Sequence, residues 1–277
     1  MQNILITGAT AGIGKAAAIL LASKGHRVFA AGRDDDALES LRAGHDNILP
    51  VKLDVTDDDS VKEALDYVSD ALEGVTIDVL VNNAGIAKVG PVESVSMEDW
   101  ELQYQTNVLG PLRVTKAVLP AMRERRRGRI VMVSSVAGRV TVPFFGPYNS
   151  SKHALESLSD ALRMELRPHG VEVVLLEPGA VKTRFSSLEQ EQFEAHAEAS
   201  PPYASQIHTL KNFHRELHRN GADPVSVAGA VVAACEGNEP PPRRIVPLFP
   251  GAAFVAIKSL LPTRVSDWVV RKLTKMP

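Results

Sequence analysis

The stretch ILITGATAGIGKAAAILLASKG, residues 4–25, reads as a strand, a glycine-rich turn and a helix. The turn carries Gly8, Gly12 and Gly14, with Ile13 between the last two. Glycine tolerates the unusual dihedrals of such a turn and lets backbone N–H groups come close to phosphate oxygens. The start of the helix adds partial positive charge. The spacing is G-x-x-x-G-x-G, not the general G-x-G-x-x-G fingerprint. Taken alone, the stretch is equally a tight strand–helix connection, and its meaning depends on the elements C-terminal to it.

Those elements form a long alternation. Strand-like runs occur at 3–7 (NILIT), 27–31 (RVFAA), 48–53 (ILPVKL), 78–83 (DVLVNN), 129–134 (RIVMVS) and 171–177 (VEVVLLE). Helix-like segments lie between them near 13–24, 34–43, 57–72, 97–124 and 147–167. The strands are continuously apolar rather than alternating, which predicts a sheet covered on both faces. The order predicts an α/β, Rossmann-type doubly wound parallel sheet. On the first strand of such a sheet, the glycine turn points to a dinucleotide. After about residue 180 the rhythm breaks into a polar, acidic and then helical insertion at about 186–223, placed where substrate lids sit. EPPPRRIVPLFPG (239–251) reads as a stiff loop around a last short strand near 244–248. With no internal repeat and no second core, residues 1–277 are expected to form one domain, about 250–277 serving as a C-terminal cap segment.

Bulk properties narrow the function. Of 277 residues, 44% are hydrophobic and 23% charged, with a formal net charge of −2, which gives no reason to expect nucleic acid as a partner. The basic run RERRRGR (123–129) reads as a solvated helix end. The single cysteine, Cys235, excludes an intramolecular disulfide and a cysteine-based zinc site; it reads as a small core residue. No secretory signal or membrane-spanning run is expected, which makes a cytoplasmic setting the default.

The second strand ends FAAGRDDDAL (29–38). An acid at this tip bonds the ribose 2′-OH of NAD, whereas an arginine accommodates a 2′-phosphate. Gly32 is followed by Arg33, with Lys15 just after the glycine turn and Asp34 as an alternative acid. The pattern favours NADP(H).

Seven motifs in order, TGATAGIG (7–14), LDV (53–55), NNAG (82–85), Asn107, VSSVAG (133–138), YNSSK (148–152) and PGAVKT (178–183), resemble the short-chain dehydrogenase/reductase family over about residues 1–185. The AGR strand tip and long C-terminal segment look like its NADP-dependent 17β-hydroxysteroid and retinol dehydrogenase branch. The resemblance implies Tyr148 as acid/base, Lys152 as its partner, Ser135 as carbonyl binder and Asn107 in a proton relay. It also implies Asp54 and Val55 flanking the adenine, Asn83 along the cofactor, and Pro178, Gly179, Val181 and Thr183 on the nicotinamide side. Ser134 rivals Ser135, but the thirteen-residue interval to the tyrosine favours Ser135. The family habit of pairing the helices near 97–124 and 147–167 across subunits implies a homodimer or homotetramer.

The chemistry can be argued beside the resemblance. A free tyrosine has a pKa near 10, too high for efficient proton exchange at neutrality. At i and i+4 on a helix, Tyr148 and Lys152 share a face, so an ammonium is expected to lower that pKa. Ser135, at a strand tip, can donate to a substrate oxygen as charge develops there. Pro111 stands four residues after Asn107 and has no N–H, so the Asn107 carbonyl loses its helical partner; a kink there, with a water held at the carbonyl, is expected.

His214 and His218, at i and i+4, could bind a metal, but Arg215 breaks the H-E-x-x-H pattern. They are expected on a solvated helix face, with no metal bound. The tail 251–277 is expected to cover a hydrophobic pocket or touch a subunit, with peripheral membrane contact as the second reading. Together these features predict an oxidoreductase passing hydride between NADP(H) and a carbonyl or secondary alcohol, on a lipophilic steroid, retinoid or lipid-like ketone. The rivals are a non-catalytic NADP(H)-binding regulator and a reductase of small polar or aromatic ketones.

Overall fold

The computed structural model describes residues 1–74, 76–248, 255, 256, 258 and 260–276, with Arg184 described by its backbone alone. Its strands are β1 (Asn3–Thr7), β2 (Arg27–Gly32), β3 (Ile48–Lys52), β4 (Val79–Asn82), β5 (Gly128–Val133), β6 (Val171–Pro178) and β7 (Arg243–Val246). They form one all-parallel sheet in the order β3-β2-β1-β4-β5-β6-β7.

The helices are α1 (Gly12–Ser23), α2 (Asp35–Gly44), α3 (Asp58–Leu72), α4 (Met97–Tyr104), α5 (Gly110–Glu124), α6 (Gly146–Leu166), α7 (Arg184–Ala199), α8 (Ala204–Arg219), α9 (Pro224–Glu236) and α10 (Thr263–Leu273). The continuous apolar strands have the predicted cause. Ile4, Ile6, Val28, Ala30, Val79, Val81, Val131 and Val133 pack on one face with Ala17, Leu21, Val231 and Cys235 from α1 and α9. Leu5, Phe29, Leu80, Ile130 and Met132 point the other way, onto Val61, Val68, Val114, Val118 and Leu155 from α3, α5 and α6. Side chains alternate along each strand, so two cores need both alternating sets to be apolar.

Several helix starts carry their caps in the sequence. Asp34, Asp57 and Asp223 accept first-turn N–H groups of α2, α3 and α9. The long helix expected at 97–124 is two helices joined by a π-helical turn at Gln105–Leu109, in which the Gly110 N–H donates to the Gln105 carbonyl. Pro111 cannot donate to Asn107, and the extra residue in the turn absorbs that missing bond. The expected kink therefore takes the form of a π turn.

The insertion after residue 183 is mainly helical, as α7 and α8 joined by a 3₁₀ turn at Pro201–Tyr203, and its acidic half is no loop. Phe193, Ile207 and Leu210 form its buried seam with Phe145 and Val89. The expected last strand at 244–248 is β7, Arg243–Val246. The segment 250–277 lies partly outside the described residues; within it, α10 is formed and Met276 packs against the Phe145–Phe193 cluster. Among the described residues, no helix is long and apolar enough to cross a membrane.

Candidate active site

The chain order turns outward from β1 through β2 to β3, then returns to β4 on the other side. Ligands in doubly wound sheets bind in the crevice outside the strand ends at this switch point. Gly8 there has φ +65°, and a Cβ on it would lie 2.8 Å from the Ala84 Cα. A Cβ on Gly14 would meet both Asn83 Nδ2 and the Gly8 carbonyl at 2.4 Å. Both positions need glycine, the first for its dihedral as well as its space.

Asn83 holds this turn shut. Its Nδ2 donates to the carbonyls of Thr7 (3.0 Å) and Gly8 (3.1 Å), and its N–H donates to Thr7 Oγ1 (3.0 Å). The N-cap of α1, Ala11, has no side chain able to cap, so first-turn N–H groups remain to receive an anion. Thr183 closes the other side: its Cγ2 would lie 3.4 Å from a Cβ on Gly12. Gly179, at the end of β6, donates its N–H to the Val246 carbonyl at 2.9 Å, and Val181 is buried. These features fit a pyrophosphate-bearing dinucleotide.

At the β2 tip, the exposed Arg33 guanidinium stands 3.5 Å from the Asp54 carboxylate. Burial raises the Asp54 carboxyl, but hydrogen bonds from Thr56 and the Arg33 charge outweigh it and hold the group below its ordinary value. Asp34 is committed elsewhere, since its Oδ1 accepts the Ala37 N–H at 3.0 Å as the α2 cap. Val55, next to Asp54, is buried.

The other end of the crevice holds Tyr148, Lys152 and Ser135. Tyr148 lies in the first turn of α6, which enters through Pro147. Its ring is half-buried against Phe145 (6.5 Å) and Phe185 (5.8 Å). Lys152 is buried one turn on, its Nζ 5.9 Å from the Tyr148 ring centroid and donating to the Val133 carbonyl at 3.0 Å. Ser135 is the second residue after β5; its Oγ accepts the Ala137 N–H, donates towards the Pro178 carbonyl at 3.3 Å and reaches the Tyr148 phenol. Ser134 is buried on the side of Glu156. Of the two rival serines, Ser135 is the one whose hydroxyl reaches the Tyr148 phenol.

The electrostatics differ from the expectation. Burial pushes the Tyr148 phenol well above the ordinary tyrosine value; the Ser135 hydrogen bond opposes this and the Glu189 carboxylate adds to it. Lys152 is pushed down to about 8 by burial, with Glu156 pulling upward. The sequence predicts an ammonium that lowers the phenol. In the folded chain desolvation outweighs any such help.

Asn107 is fully buried within the π turn, and its side chain is spent on structure. Its Oδ1 accepts the Ile86 N–H at 2.9 Å, while Nδ2 donates to the Ile86 carbonyl (2.9 Å) and Ser151 Oγ (3.2 Å). A Cβ on Gly85 would lie 3.4 Å from Asn107 Oδ1 and 3.8 Å from Lys152 Nζ, so the two side chains meet across Gly85. Sequence reasoning missed Ser151, which donates to the Tyr148 carbonyl at 2.8 Å and couples Asn107 to α6. It also missed Glu189, buried near Tyr148, whose only signal was an acidic residue inside the polar insertion.

His214 is buried, not solvated, and its ring lies against that of the half-buried His218 at 4.2 Å between centroids, tilted by 41°. The solvated-face expectation is corrected: α8 turns this pair inward against α7.

Comparison with known proteins agrees with this fold and crevice. The family model for short chain dehydrogenase matches residues 2–193. The chain is 35% identical over 271 residues to 3-ketodihydrosphingosine reductase of Bacteroides thetaiotaomicron, covering 98% of this chain and 97% of that protein. It is 33% identical over 284 residues to NADPH-dependent 3-dehydrocapnine reductase of Ornithobacterium rhinotracheale, covering 99% of each. A short-chain dehydrogenase/reductase from Burkholderia phymatum, solved in complex with NAD, superposes with a TM-score of 0.79 at 29% identity, over 93% of this chain and 92% of that one. The chain belongs to the short-chain dehydrogenase/reductase family. It is accordingly an oxidoreductase of a family that binds nicotinamide cofactors.

Proposed function

We propose that the chain is an NADP(H)-dependent reductase or dehydrogenase acting on the carbonyl or secondary alcohol of a lipid-like substrate. The observation that carries this is the meeting of the Tyr148 phenol, the Ser135 hydroxyl and the buried Lys152 ammonium at the ends of β5 and β6. Bound NADPH would supply the hydride. Ser135 orients the substrate oxygen by donating a hydrogen bond, and Tyr148 delivers the proton to it. A phenol held well above its ordinary pKa keeps that proton until negative charge develops opposite it. Lys152, cationic below about 8, favours the phenolate left behind. Asn107 fixes the Ile86 backbone, and its carbonyl, facing Pro111, is the expected seat of a relay water. Gly8, Gly12, Ile13, Gly14, Asn83, Val55, Pro178, Gly179, Val181 and Thr183 would line the cofactor, with Arg33 taking the 2′-phosphate.

Apolar surroundings favour a lipophilic substrate. Phe145 and Phe185 pack on Tyr148 and Phe193 packs on Phe145, with α7 and α8 as the lid. The relatives named for 3-ketodihydrosphingosine and 3-dehydrocapnine point to a lipid-like ketone rather than a steroid or retinoid. On α10, Val265, Trp268 and Leu273 are exposed on a helix that also carries Arg264 and Lys272, which suits peripheral contact with a membrane surface. Leu102, Leu109 and Met164 are exposed on and beside α4 and α6, which suits a cytoplasmic homodimer or homotetramer joined through those helices.

The test is NADPH oxidation over a panel of ketones with the wild type and Tyr148→Phe. Loss of the acid should cut kcat/KM by roughly 100-fold or more, while NADPH binding, read by fluorescence, persists. Equal turnover by the variant rejects the assignment. No turnover by the wild type on any ketone favours the regulator reading.

A further inference from the structure

Glu189 on α7 and His214 and His218 on α8 bring one carboxylate oxygen and two ring nitrogens within 4.8 Å of one another. Glu189 and His214 are 2% and 6% exposed, so this is no solvated surface cluster. Phe145 and Phe193 pack against His214, at 5.4 and 6.0 Å between ring centroids.

The cluster is short of an electropositive partner. Glu189 Oε2 stands 3.1 Å from His214 Nε2, an ion-pair distance, yet it is buried without a donor in hydrogen-bond geometry. A ring N–H off the line of the oxygen is a weak donor, so the short distance does not satisfy the carboxylate. Two ligands of one tetrahedral zinc, each about 2.0–2.1 Å from the ion, stand about 3.3 Å apart. The observed separation is close to that.

The outer contacts orient the rings for the same task. His218 Nδ1 lies 3.1 Å from the Val181 carbonyl; a carbonyl only accepts, so Nδ1 carries the proton and Nε2 keeps its lone pair. His214 Nδ1 lies 2.9 Å from the Gln190 amide, whose oxygen is buried without a partner. Turning that amide over gives its oxygen the Nδ1 proton and frees Nε2, in exchange for the 3.4 Å bond from Gln190 Nε2 to the Lys211 carbonyl. Metal-binding histidines are held in this way through the far nitrogen.

We propose that Glu189, His214 and His218 form a binding site for a divalent transition-metal ion of the zinc class. Imidazole and carboxylate donors suit such an ion. It would tie α7 to α8 and neutralise the carboxylate that acts on the Tyr148 phenol. Binding is measured without substrate, cofactor or turnover, so its outcome is independent of the hydride-transfer assignment.

The experiment uses tag-free, full-length protein stripped with chelator and titrated with Co²⁺, then with Zn²⁺. Saturable binding of one Co²⁺ per chain is expected, with the strong visible bands of low-coordinate cobalt, displaced by Zn²⁺. Zinc at about 100 times its Kd should raise the melting temperature by roughly 5 °C or more. Glu189→Gln, His214→Ala and His218→Ala should each weaken Co²⁺ binding by roughly 100-fold or more, beyond the 10–100-fold that outer contacts cost. His208→Ala, an exposed residue of the same helix, should bind as wild type. The proposal falls if wild-type protein shows neither visible bands nor a zinc-dependent rise in melting temperature. It also falls if correctly folded Glu189→Gln, checked by circular dichroism, binds Co²⁺ undiminished, or if His208→Ala abolishes binding.

Discussion

The buried charge of Lys152 carries a cost. Its ammonium is buried and shifted from 10.5 to about 8, so the folded chain is weakened by about 3 kcal/mol while that charge is held. The unfolded chain binds the proton more tightly, so wild-type stability should rise as pH climbs from about 8 to 10.5. Lys152→Met should flatten that rise and be the more stable protein at neutral pH. The gain falls short of the full amount by about 1 kcal/mol, for the partner lost to the Val133 carbonyl. Turnover should disappear with it. Chemical denaturation at neutral and high pH checks the sign, and a variant less stable than wild type at neutral pH refutes it. Arg33 makes a second residue-scale case. Asp34 is spent as a cap, and the exposed Arg33 guanidinium, 3.5 Å from Asp54, is the cation at this tip that a 2′-phosphate would meet. Arg33→Ala should shrink the ratio of kcat/KM for NADPH over NADH by about 10–100-fold, the worth of one charged hydrogen bond. An unchanged ratio rejects NADP(H) selection by this residue.

Among the elements, α6, β6 and β7 are joined by a buried charge cluster. Arg243 on β7 contacts Glu156 on α6, Glu177 on β6 (2.7 Å) and Asp160 on α6 (2.9 Å), and Arg139 reaches Glu177 at 3.3 Å. Burial raises the Glu156 carboxyl, and the neighbouring Glu177 adds to the rise against Arg243 and Arg139. Arg243→Met should cost about 3–5 kcal/mol, because it strands two buried carboxylates. A raised carboxyl binds its proton more tightly in the folded state, so its contribution is complete at low pH and lost as pH rises through the raised value. The deficit of the variant should therefore narrow as pH falls towards the carboxylate range. Melting curves at two pH values measure this; a deficit below about 1 kcal/mol at neutral pH contradicts it.

Across the whole molecule, the features legible in the sequence were local. Gly8, Gly12 and Gly14 sit within one turn, Tyr148 and Lys152 on one helix face, and Pro111 announces its own broken bond. The continuous apolar strands gave the two-faced sheet because alternating side chains enter separate cores. The features that stayed hidden join distant segments. Glu189 meets His214 only after α7 folds back on α8, and Glu177 meets Arg243 only across a strand pair. No periodicity in either segment records the other. The Tyr148 shift was missed for a related reason, since desolvation depends on Phe145, Phe185 and the lid rather than on a four-residue interval.

Asn83 lies 75 residues beyond the Gly8 carbonyl that it holds. During synthesis on the ribosome, the glycine turn emerges well before its latch, which is absent until β4 and the residues just after it have left the exit tunnel. β1 likewise waits for β4 as its second neighbour. The nascent chain therefore passes through a stage in which its glycine turn is unlocked and β1 has an open edge.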